Sequence, residues 1–227
     1  MTLIVSVDGN IGSGKSTILR ILKEKFSMYN NIIFLQEPVD QWEEIKDKNG
    51  VTILTKFYEN QEKYSFAFQM MAYISRLSLL KETTEKYPNS IIITERCLDT
   101  DRHVFAKMLY DSGKIEDIEY QIYLKWFDNF IDDKQTKKII YLKTDPDICF
   151  YRIAKRNRTG ESNISIEYLE ECHKYHEVMI DETLCEKLII DGNVDREENN
   201  DIVNLWIDQI KNFLSIDESS FSFASAY

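Results

Sequence analysis

A short segment near the N-terminus has the residue types of a phosphate-binding loop. It matches the pattern GxxxxGK[ST] in full, with Gly9, Asn10, Ile11, Gly12, Ser13, Gly14, Lys15 and Ser16. Glycines let successive backbone N–H groups turn inward around an anion, beside the positive end of a helix. The lysine of such a loop reaches the β- and γ-phosphates of a nucleotide, and the following hydroxyl ligates Mg²⁺. The segment, with the adjoining Thr17, therefore predicts an ATP site whose cation is Mg²⁺.

Charged residues also follow the next two strands that the sequence predicts. Glu37 comes directly after one apolar run, and Glu95 and Arg96 end another. In open parallel sheets, ligands bind beyond the carboxyl ends of the strands. A single acidic residue after a strand is more often a solvated turn residue. Two acids and an arginine at adjacent strand ends nevertheless favour a reaction centre close to Lys15.

Residues 58–86 form one long helical pattern that carries a polar stripe. The residues that recur along it at spacings of three and four are Tyr58, Glu62, Ser65, Gln69, Ala72 and Arg76. Such a stripe can be the solvent side of an amphipathic helix. The other faces are apolar nearly all round, however, and this favours a buried helix whose polar stripe lines a cavity.

Basic side chains are concentrated in one segment of the second half of the chain. Arg152, Lys155, Arg156 and Arg158 fall within seven residues and are followed by Gly160 and Glu161. A basic helix end complements the helix dipole, which would account for two of the four. The density of the cluster favours a phosphate ligand and a mobile flap that neutralises charge and excludes water.

These residues must be positioned by alternating strands and helices. The predicted strands are 3–7, 32–36, 91–94, 138–142 and 188–190, each a nearly continuous apolar run of the kind that parallel strands buried on both faces contain. Helical patterns occupy 15–27, 58–86, 101–112, 116–131, 146–157, 165–182 and 197–213. The alternation predicts a doubly wound α/β fold in one domain, residues 1–227. Residues 216–227 lack periodicity and are expected to form a flexible tail.

Composition narrows the possible partners and the compartment. The 227 residues carry 28 basic and 39 acidic side chains, a net charge of −11 that disfavours nucleic-acid binding. No apolar run approaches the ~18 residues of a membrane helix. The first strand begins so close to Met1 that we expect no signal or transit peptide. The four unevenly spaced cysteines are expected to be free thiols, so the predicted location is the cytoplasm.

Several classes of protein use the same phosphate loop. A GTPase should also carry an NKxD guanine reader, which the sequence lacks. Helicases and motor ATPases are usually larger and more basic. The remaining class is that of small-molecule kinases, and the charged strand ends support it.

Five motifs in collinear order resemble the deoxynucleoside kinase family. They are the phosphate loop, Glu37-Pro38-Val39 with Trp42, Phe57-Tyr58-Glu59 leading to Ser65-Phe66-Ala67-Phe68-Gln69, Glu95-Arg96 with Asp101-Arg102, and Arg152, Arg156, Arg158 and Glu161 before Glu167-Tyr168-Leu169. The resemblance covers nearly the whole chain. It implies a P-loop kinase fold with a five-stranded parallel sheet, flanking helices and an arginine-rich lid, and it implies a homodimer.

The resemblance also implies a role for each matching residue. Glu37 would be the general base that takes the proton of a nucleoside 5′-hydroxyl, and Arg96 would hold the reacting groups together. Ser16 and Glu95 would hold Mg²⁺. The sugar and base would be bound by Tyr58 and Glu161 at the 3′-hydroxyl, Gln69 at the base edge, and Trp42, Phe68 and Phe105 as apolar walls. Arg152, Arg156 and Arg158 would close over the ATP phosphates.

Substrate preference is predicted from three further positions. In the family, the positions that match Ala72, Arg76 and Asp101 separate thymidine-preferring members from deoxycytidine and purine ones. An arginine and an aspartate accompany use of cytosine and purines, so we expect deoxycytidine or purine deoxynucleosides to be preferred over thymidine. Two alternatives stay open: a nucleoside monophosphate kinase of the thymidylate kinase type, and a nucleotide-binding module without catalysis.

Overall fold

The computed structural model describes residues 2–131, 136–158, 160–194 and 200–216. The tail predicted for residues 216–227 therefore lies outside the described residues, except for the buried Ile216. Five parallel strands form one sheet, in the order β2-β3-β1-β4-β5. Their bounds are β1 Leu3–Asp8, β2 Ile32–Leu35, β3 Ile91–Glu95, β4 Lys138–Lys143 and β5 Glu186–Asp191. The predicted parallel five-stranded sheet is confirmed.

Helices connect the strands and cover both faces of the sheet. They are α1 Lys15–Lys25, α2 Val39–Glu44, α3 Ile53–Glu59, α4 Gln61–Lys86, α5 Leu98–Thr100, α6 Lys107–Asp111, α7 Asp117–Phe130, α8 Pro146–Arg156, α9 Ile166–Glu182 and α10 Asn200–Leu214. A π-helical stretch, Asp101–Ala106, joins α5 to α6, and a 3₁₀ turn, Glu161–Asn163, precedes α9. The strand–loop–helix order around residues 9–16 gives the P-loop kinase fold that the resemblance implies.

The alternation of side chains along β1 shows how the two layers of helix are attached. Val5 and Val7 pack with Ile18 of α1 and Ile210 of α10 on one face. Ile4, on the opposite face, packs in a cluster with Tyr73 of α4. A parallel strand buried on both faces needs apolar side chains in both directions, which explains the nearly continuous apolar run.

The register of the central strands brings the charged residues together. Val7 of β1 lies opposite Glu95 of β3, and Leu35 of β2 lies opposite Thr94. The three strands consequently end at the same edge of the sheet. The phosphate loop after β1, the acidic residue after β2 and the arginine after β3 therefore meet at one edge, as expected.

The helix predicted over residues 58–86 is wrong at its start. The chain breaks at Asn60, whose backbone φ of −151° is not helical and whose side-chain oxygen caps α4 by accepting from the Lys63 amide at 3.1 Å. Tyr58 therefore lies on α3, and Glu62 is exposed and pairs with Lys114. The buried polar stripe of α4 consists only of its later members, Ser65, Gln69, Ala72 and Arg76.

The segment after β3 also differs from its prediction. The helical region begins at Leu98, not at 101, and contains the π-helical stretch. Such a stretch carries an additional residue per turn, and π-bulges are frequent at functional sites. Here it contains Asp101 and Phe105, two residues predicted to contact substrate. Hydrophobic periodicity does not reveal this change of pitch.

None of the described helices is both long and apolar enough to span a membrane. The four cysteines all lie in the described part of the chain and none is paired with another. Cys97, Cys149 and Cys172 are buried in the protein interior.

Candidate active site

A cavity of about 580 Å³ opens at the carboxyl edge of the sheet. Its volume falls in the range of small-molecule sites. The predicted site residues that line it are Ile11, Gly12, Gly14, Lys15, Ser16, Thr17, Glu37, Trp42, Tyr58, Phe68, Gln69, Ala72, Arg76, Glu95, Arg96, Asp101, Phe105, Arg152, Arg156, Arg158 and Glu161. Gly9, Asn10 and Ser13 are not among its lining residues, and all the rest of the predicted set is brought together.

The phosphate loop is held in a tight, left-handed path. Gly12 has φ +79°, and a Cβ atom placed there would lie 2.6 Å from the carbonyl oxygen of Cys149 on α8. Only glycine fits this approach without moving the backbone. The Asn10 amide donates to the carbonyl oxygen of Leu169 on α9 at 2.8 Å. The loop thus packs closely against α8 and is hydrogen-bonded to α9.

Lys15 lies at the start of α1 and is almost fully buried. Its ammonium group donates to the Asn10 carbonyl oxygen at 2.7 Å. Burial and the neighbouring Arg96 lower the pKa of Lys15 to about 7, although Glu95 and Glu37 act in the opposite direction. A phosphate placed beside this ammonium group would favour its charged form.

Ser16 and Glu95 place two oxygen atoms side by side beneath the loop. The Ser16 hydroxyl donates to the Glu95 carboxylate at 2.6 Å. Mg²⁺ prefers hard oxygen ligands and commonly binds one or two protein oxygens together with substrate phosphates. The donor set therefore fits the ion that the sequence predicts at these two residues.

Glu37 is held between two arginines. Its carboxylate accepts from the Arg76 guanidinium at 2.8 Å and lies 3.3 Å from Nε of Arg96. Burial alone would raise the pKa of Glu37, but Arg96, Arg76 and Lys15 together lower it to about 2. The side chain is 18% exposed and opens into the cavity. An ionised carboxylate is thus presented to whatever binds beside the phosphate loop.

Arg76 makes more contacts than its position on the polar stripe predicts. Its Nε donates to Asp101 at 2.9 Å, and its two terminal nitrogens donate to the Glu95 carbonyl oxygen at 2.7 Å and to Glu37. Burial opposes its charge, but Asp101 and Glu37 raise the pKa of Arg76 further above its usual value. The residue expected to read the base therefore also binds the proposed catalytic carboxylate.

Aromatic rings form one wall of the cavity. Trp42 meets Phe68 edge-on with ring centroids 5.5 Å apart, and Phe57 stacks on Phe68 at 4.5 Å. The buried Gln69 side chain lines the same cavity as this wall. The wall and the amide suit a flat heterocycle with polar edges.

The lid, residues 152–161, contains the basic cluster. Arg156 grips Glu161 with two hydrogen bonds of 2.6 and 2.7 Å, and Arg158 lies 3.5 Å from the same carboxylate. Arg152 instead donates to the backbone carbonyl oxygens of Ser13 and Gly192, at 3.2 and 2.9 Å. It therefore braces the phosphate loop in this conformation.

Two further residues lie on the elements around the cavity, Tyr58 on α3 and Asn157 at the end of α8. Tyr58 lines the cavity, and burial together with the nearby Glu161 raises the pKa of its phenol. The phenol therefore keeps its proton as a hydrogen-bond donor. Asn157 ends α8 in the left-handed region, with φ +47°. Asparagine tolerates this conformation better than most residues, so the lid turns without a glycine there.

Sequence reasoning missed several lining residues. They are Val39, Leu54, Phe57, Tyr151 and Tyr168. Phe57 and Tyr168 belong to motifs that the sequence already shows, and their position beside Tyr58 and Leu169 could have marked them. Tyr151 lies next to Arg152 on α8, and no periodic signal distinguishes it from solvent-facing residues. Lys155, a member of the predicted basic cluster, also lines the cavity.

Comparison with known proteins identifies the family. The model of the family described as deoxynucleoside kinase matches residues 5–215 of the chain. This span contains every residue of the cavity described above.

Individual relatives agree with the family match. A probable deoxycytidine kinase of fowlpox virus is 36% identical over 181 residues, covering 78% of this chain and 72% of its own. Deoxycytidine kinase 1 of Xenopus laevis is 31% identical, covering 93% and 90% respectively. Human mitochondrial thymidine kinase 2 is 33% identical, and the match covers 77% of this chain and 63% of that protein. With these matches and the charged cleft that its strands assemble, the chain belongs to the deoxynucleoside kinase family of enzymes.

Proposed function

We propose that this kinase transfers the γ-phosphoryl group of ATP to the 5′-hydroxyl of a deoxyribonucleoside, as a step of nucleotide salvage. The observation that carries the proposal is the ionised carboxylate of Glu37 beside the phosphate loop, held by Arg76 and Arg96. A kinase that accepted a monophosphate would need basic groups at this point in addition to Arg76 and Arg96, which already pair with Glu37. The carboxylate would repel that second phosphate instead.

Glu37 is suited to the role of general base. With a pKa of about 2 it is charged at any working pH. Phosphoryl transfer passes through a loose transition state, so the acceptor hydroxyl becomes acidic only as its bond to phosphorus forms. A weakly basic carboxylate that is fixed in place can take the proton at that stage. Arg96 and Lys15 then offset the charge that develops around the transferred group.

The divalent ion and the lid would complete the charge balance. Ser16 and Glu95 would hold Mg²⁺, which supplies positive charge to the phosphate oxygens of ATP when it is bound. In this structure Arg156 binds the Glu161 carboxylate through two hydrogen bonds. Phosphate oxygens offer the same bidentate geometry, so a phosphate group of ATP would take the place of Glu161 as the partner of Arg156. Glu161 and Tyr58 would then face the sugar 3′-hydroxyl from adjoining walls of the cavity.

The first prediction concerns the base. Glu37→Gln keeps the shape of the side chain but cannot take a proton, so kcat should fall by about 10²–10⁴-fold. The measurement is ADP formation from Mg-ATP with deoxycytidine as acceptor. Glu43→Gln, an exposed glutamate on the neighbouring α2, is the matched control and should keep the wild-type rate. A Glu37→Gln enzyme with undiminished kcat would remove Glu37 from the chemistry.

We also propose that the enzyme prefers deoxycytidine or purine deoxynucleosides to thymidine. Support comes from the buried Arg76–Asp101 pair at the inner end of the cavity. Such a pair offers donor and acceptor groups to a base edge and disfavours a ligand that leaves them unmatched. Ala72 leaves room beside it.

The second prediction uses this pair. Replacing both partners, as Arg76→Leu with Asp101→Ala, should raise the ratio of kcat/KM for thymidine to that for deoxycytidine by about tenfold or more. Arg76→Leu alone should lower the stability of the protein by about 3–5 kcal/mol, because it leaves a buried carboxylate unpaired. Nucleoside competition assays and urea unfolding measure the two effects. An unchanged ratio in the double variant would contradict the assignment.

We infer a homodimer that forms through α7. Its exposed apolar residues recur every four positions and so form one stripe: Ile118, Ile122, Trp126 and Phe130. Trp126 and Phe130 stack on each other at 5.7 Å, and contiguous apolar patches of this kind mark protein–protein contacts. A second copy of the chain would cover the stripe symmetrically.

The unpaired thiols suit a reducing compartment such as the cytoplasm.

The third prediction tests the stripe. Trp126→Glu should convert the dimer to a monomer in light scattering, because a charge cannot be buried in the apolar contact without a partner. Lys125→Glu, an exposed change on the same helix, is the control and should leave the mass of the particle unchanged. A wild-type protein that is monomeric at micromolar concentration would refute the inference.

A further inference from the structure

Asp8 has no part in the site as described so far, although it is one of the most buried charged residues of the chain. It is the last residue of β1, and its side chain is inaccessible to solvent. One side-chain oxygen, Oδ1, accepts a hydrogen bond from the Thr100 hydroxyl and a second from the Cys97 amide at 3.3 Å. These contacts join the end of β1 to the chain that follows β3.

The residue between β3 and that contact is Arg96, whose backbone is strained. Its φ of +67° lies in the left-handed region, which residues other than glycine seldom adopt. Such strain persists only where the surroundings fix it from several sides. The Arg96 amide donates to the Val7 carbonyl oxygen at 3.0 Å, and its carbonyl oxygen accepts from the Thr94 hydroxyl at 2.7 Å. Asp8 holds the next peptide, through the Cys97 amide.

The strained turn decides where the Arg96 guanidinium lies. The group donates to the Gly9 carbonyl oxygen at 2.8 Å and reaches Glu37 with Nε at 3.3 Å. It also lies over the ring of Phe105, 4.9 Å from the centroid. Asp8 and Gly9 are consecutive residues. Asp8 therefore holds the backbone after Arg96 through its side chain, and Gly9 holds the Arg96 guanidinium through its carbonyl oxygen.

Both hydrogen bonds end on the same oxygen of Asp8. The second oxygen, Oδ2, is buried and has no hydrogen-bond partner in the described part of the chain. The acceptor oxygen at this position is what joins the Thr100 hydroxyl and the Cys97 amide to the end of β1.

We propose that Asp8 is a positioning residue for phosphoryl transfer, which fixes the left-handed turn at Arg96 and thereby the placement of the guanidinium between Glu37 and the phosphate loop. The inference rests on the role proposed above for Arg96. Asp8 touches neither substrate nor phosphate in this account. It acts only through Arg96.

The test compares kcat and KM in single and double variants. Asp8→Ala should lower kcat by about 10- to 100-fold, since a displacement of about 1 Å at a reacting group can cost about 10²-fold. KM for ATP and for deoxycytidine should change little. Asp8→Asn keeps an acceptor oxygen at this position, so its kcat should fall between those of Asp8→Ala and wild type. Ser6→Ala is the matched control, on the same face of β1 and equally buried.

The double variant separates positioning from general support of the fold. If Asp8 acts through Arg96, Asp8→Ala with Arg96→Ala should be no slower than Arg96→Ala alone. Losses that multiply would overturn the proposal, as would a wild-type kcat in Asp8→Ala. Should Asp8→Ala fail to fold, Thr100→Val removes the hydroxyl donor and must lower kcat in the same way. A fully active Arg96→Ala would instead contradict the proposed role of Arg96.

Discussion

The site depends on a carboxylate that two buried guanidinium groups share. Arg76 and Arg96 both reach Glu37, at 2.8 and 3.3 Å, and neither arginine is more than slightly exposed. Burying a charge is costly unless it is paired and hydrogen-bonded. The cleft meets this requirement because Glu37, which follows β2, pairs with both arginines and Asp101, in the π-helical stretch, pairs with Arg76. Each of these buried charges is therefore tolerated only while four elements keep their relative positions: the ends of β2 and β3, α4 and the π-helical stretch.

The same constraint explains how an acidic protein can bind a polyphosphate. Its net charge of −11 is spread over the surface, whereas Lys15, Arg96 and the lid arginines surround one cavity. Positive side chains that are concentrated in a cleft attract an anion there, even when the net charge of the whole protein is negative. Glu37 pairs with Arg96, and Glu161 pairs with Arg156 and Arg158, so these cations are held in place. The acceptor and donor halves of the site are thus connected through ion pairs as well as through the backbone.

Much of this arrangement could be predicted from the sequence, because it depends on local patterns. The phosphate loop, the apolar strands and the acids that follow them require only residue order and the geometry of parallel sheets. Other features could not be predicted because they depend on tertiary contacts. The break at Asn60 places Tyr58 on a separate helix, and the sequence has no helix-breaking residue such as proline there that would predict it. That Arg76 binds both Asp101 and Glu37 follows from the approach of three elements, which no spacing along one helix encodes.

The central claim is that Glu37 receives the proton of a nucleoside hydroxyl at a site that excludes a second phosphate. It is tested most directly by measuring ADP release from Mg-ATP with deoxycytidine, deoxyadenosine, deoxyguanosine, thymidine and their monophosphates as acceptors. We predict turnover with the nucleosides, greatest for deoxycytidine or a purine deoxynucleoside, and none above background with the monophosphates. Turnover confined to the monophosphates would contradict the account, because the charged Glu37 would then lie where the second phosphate must bind.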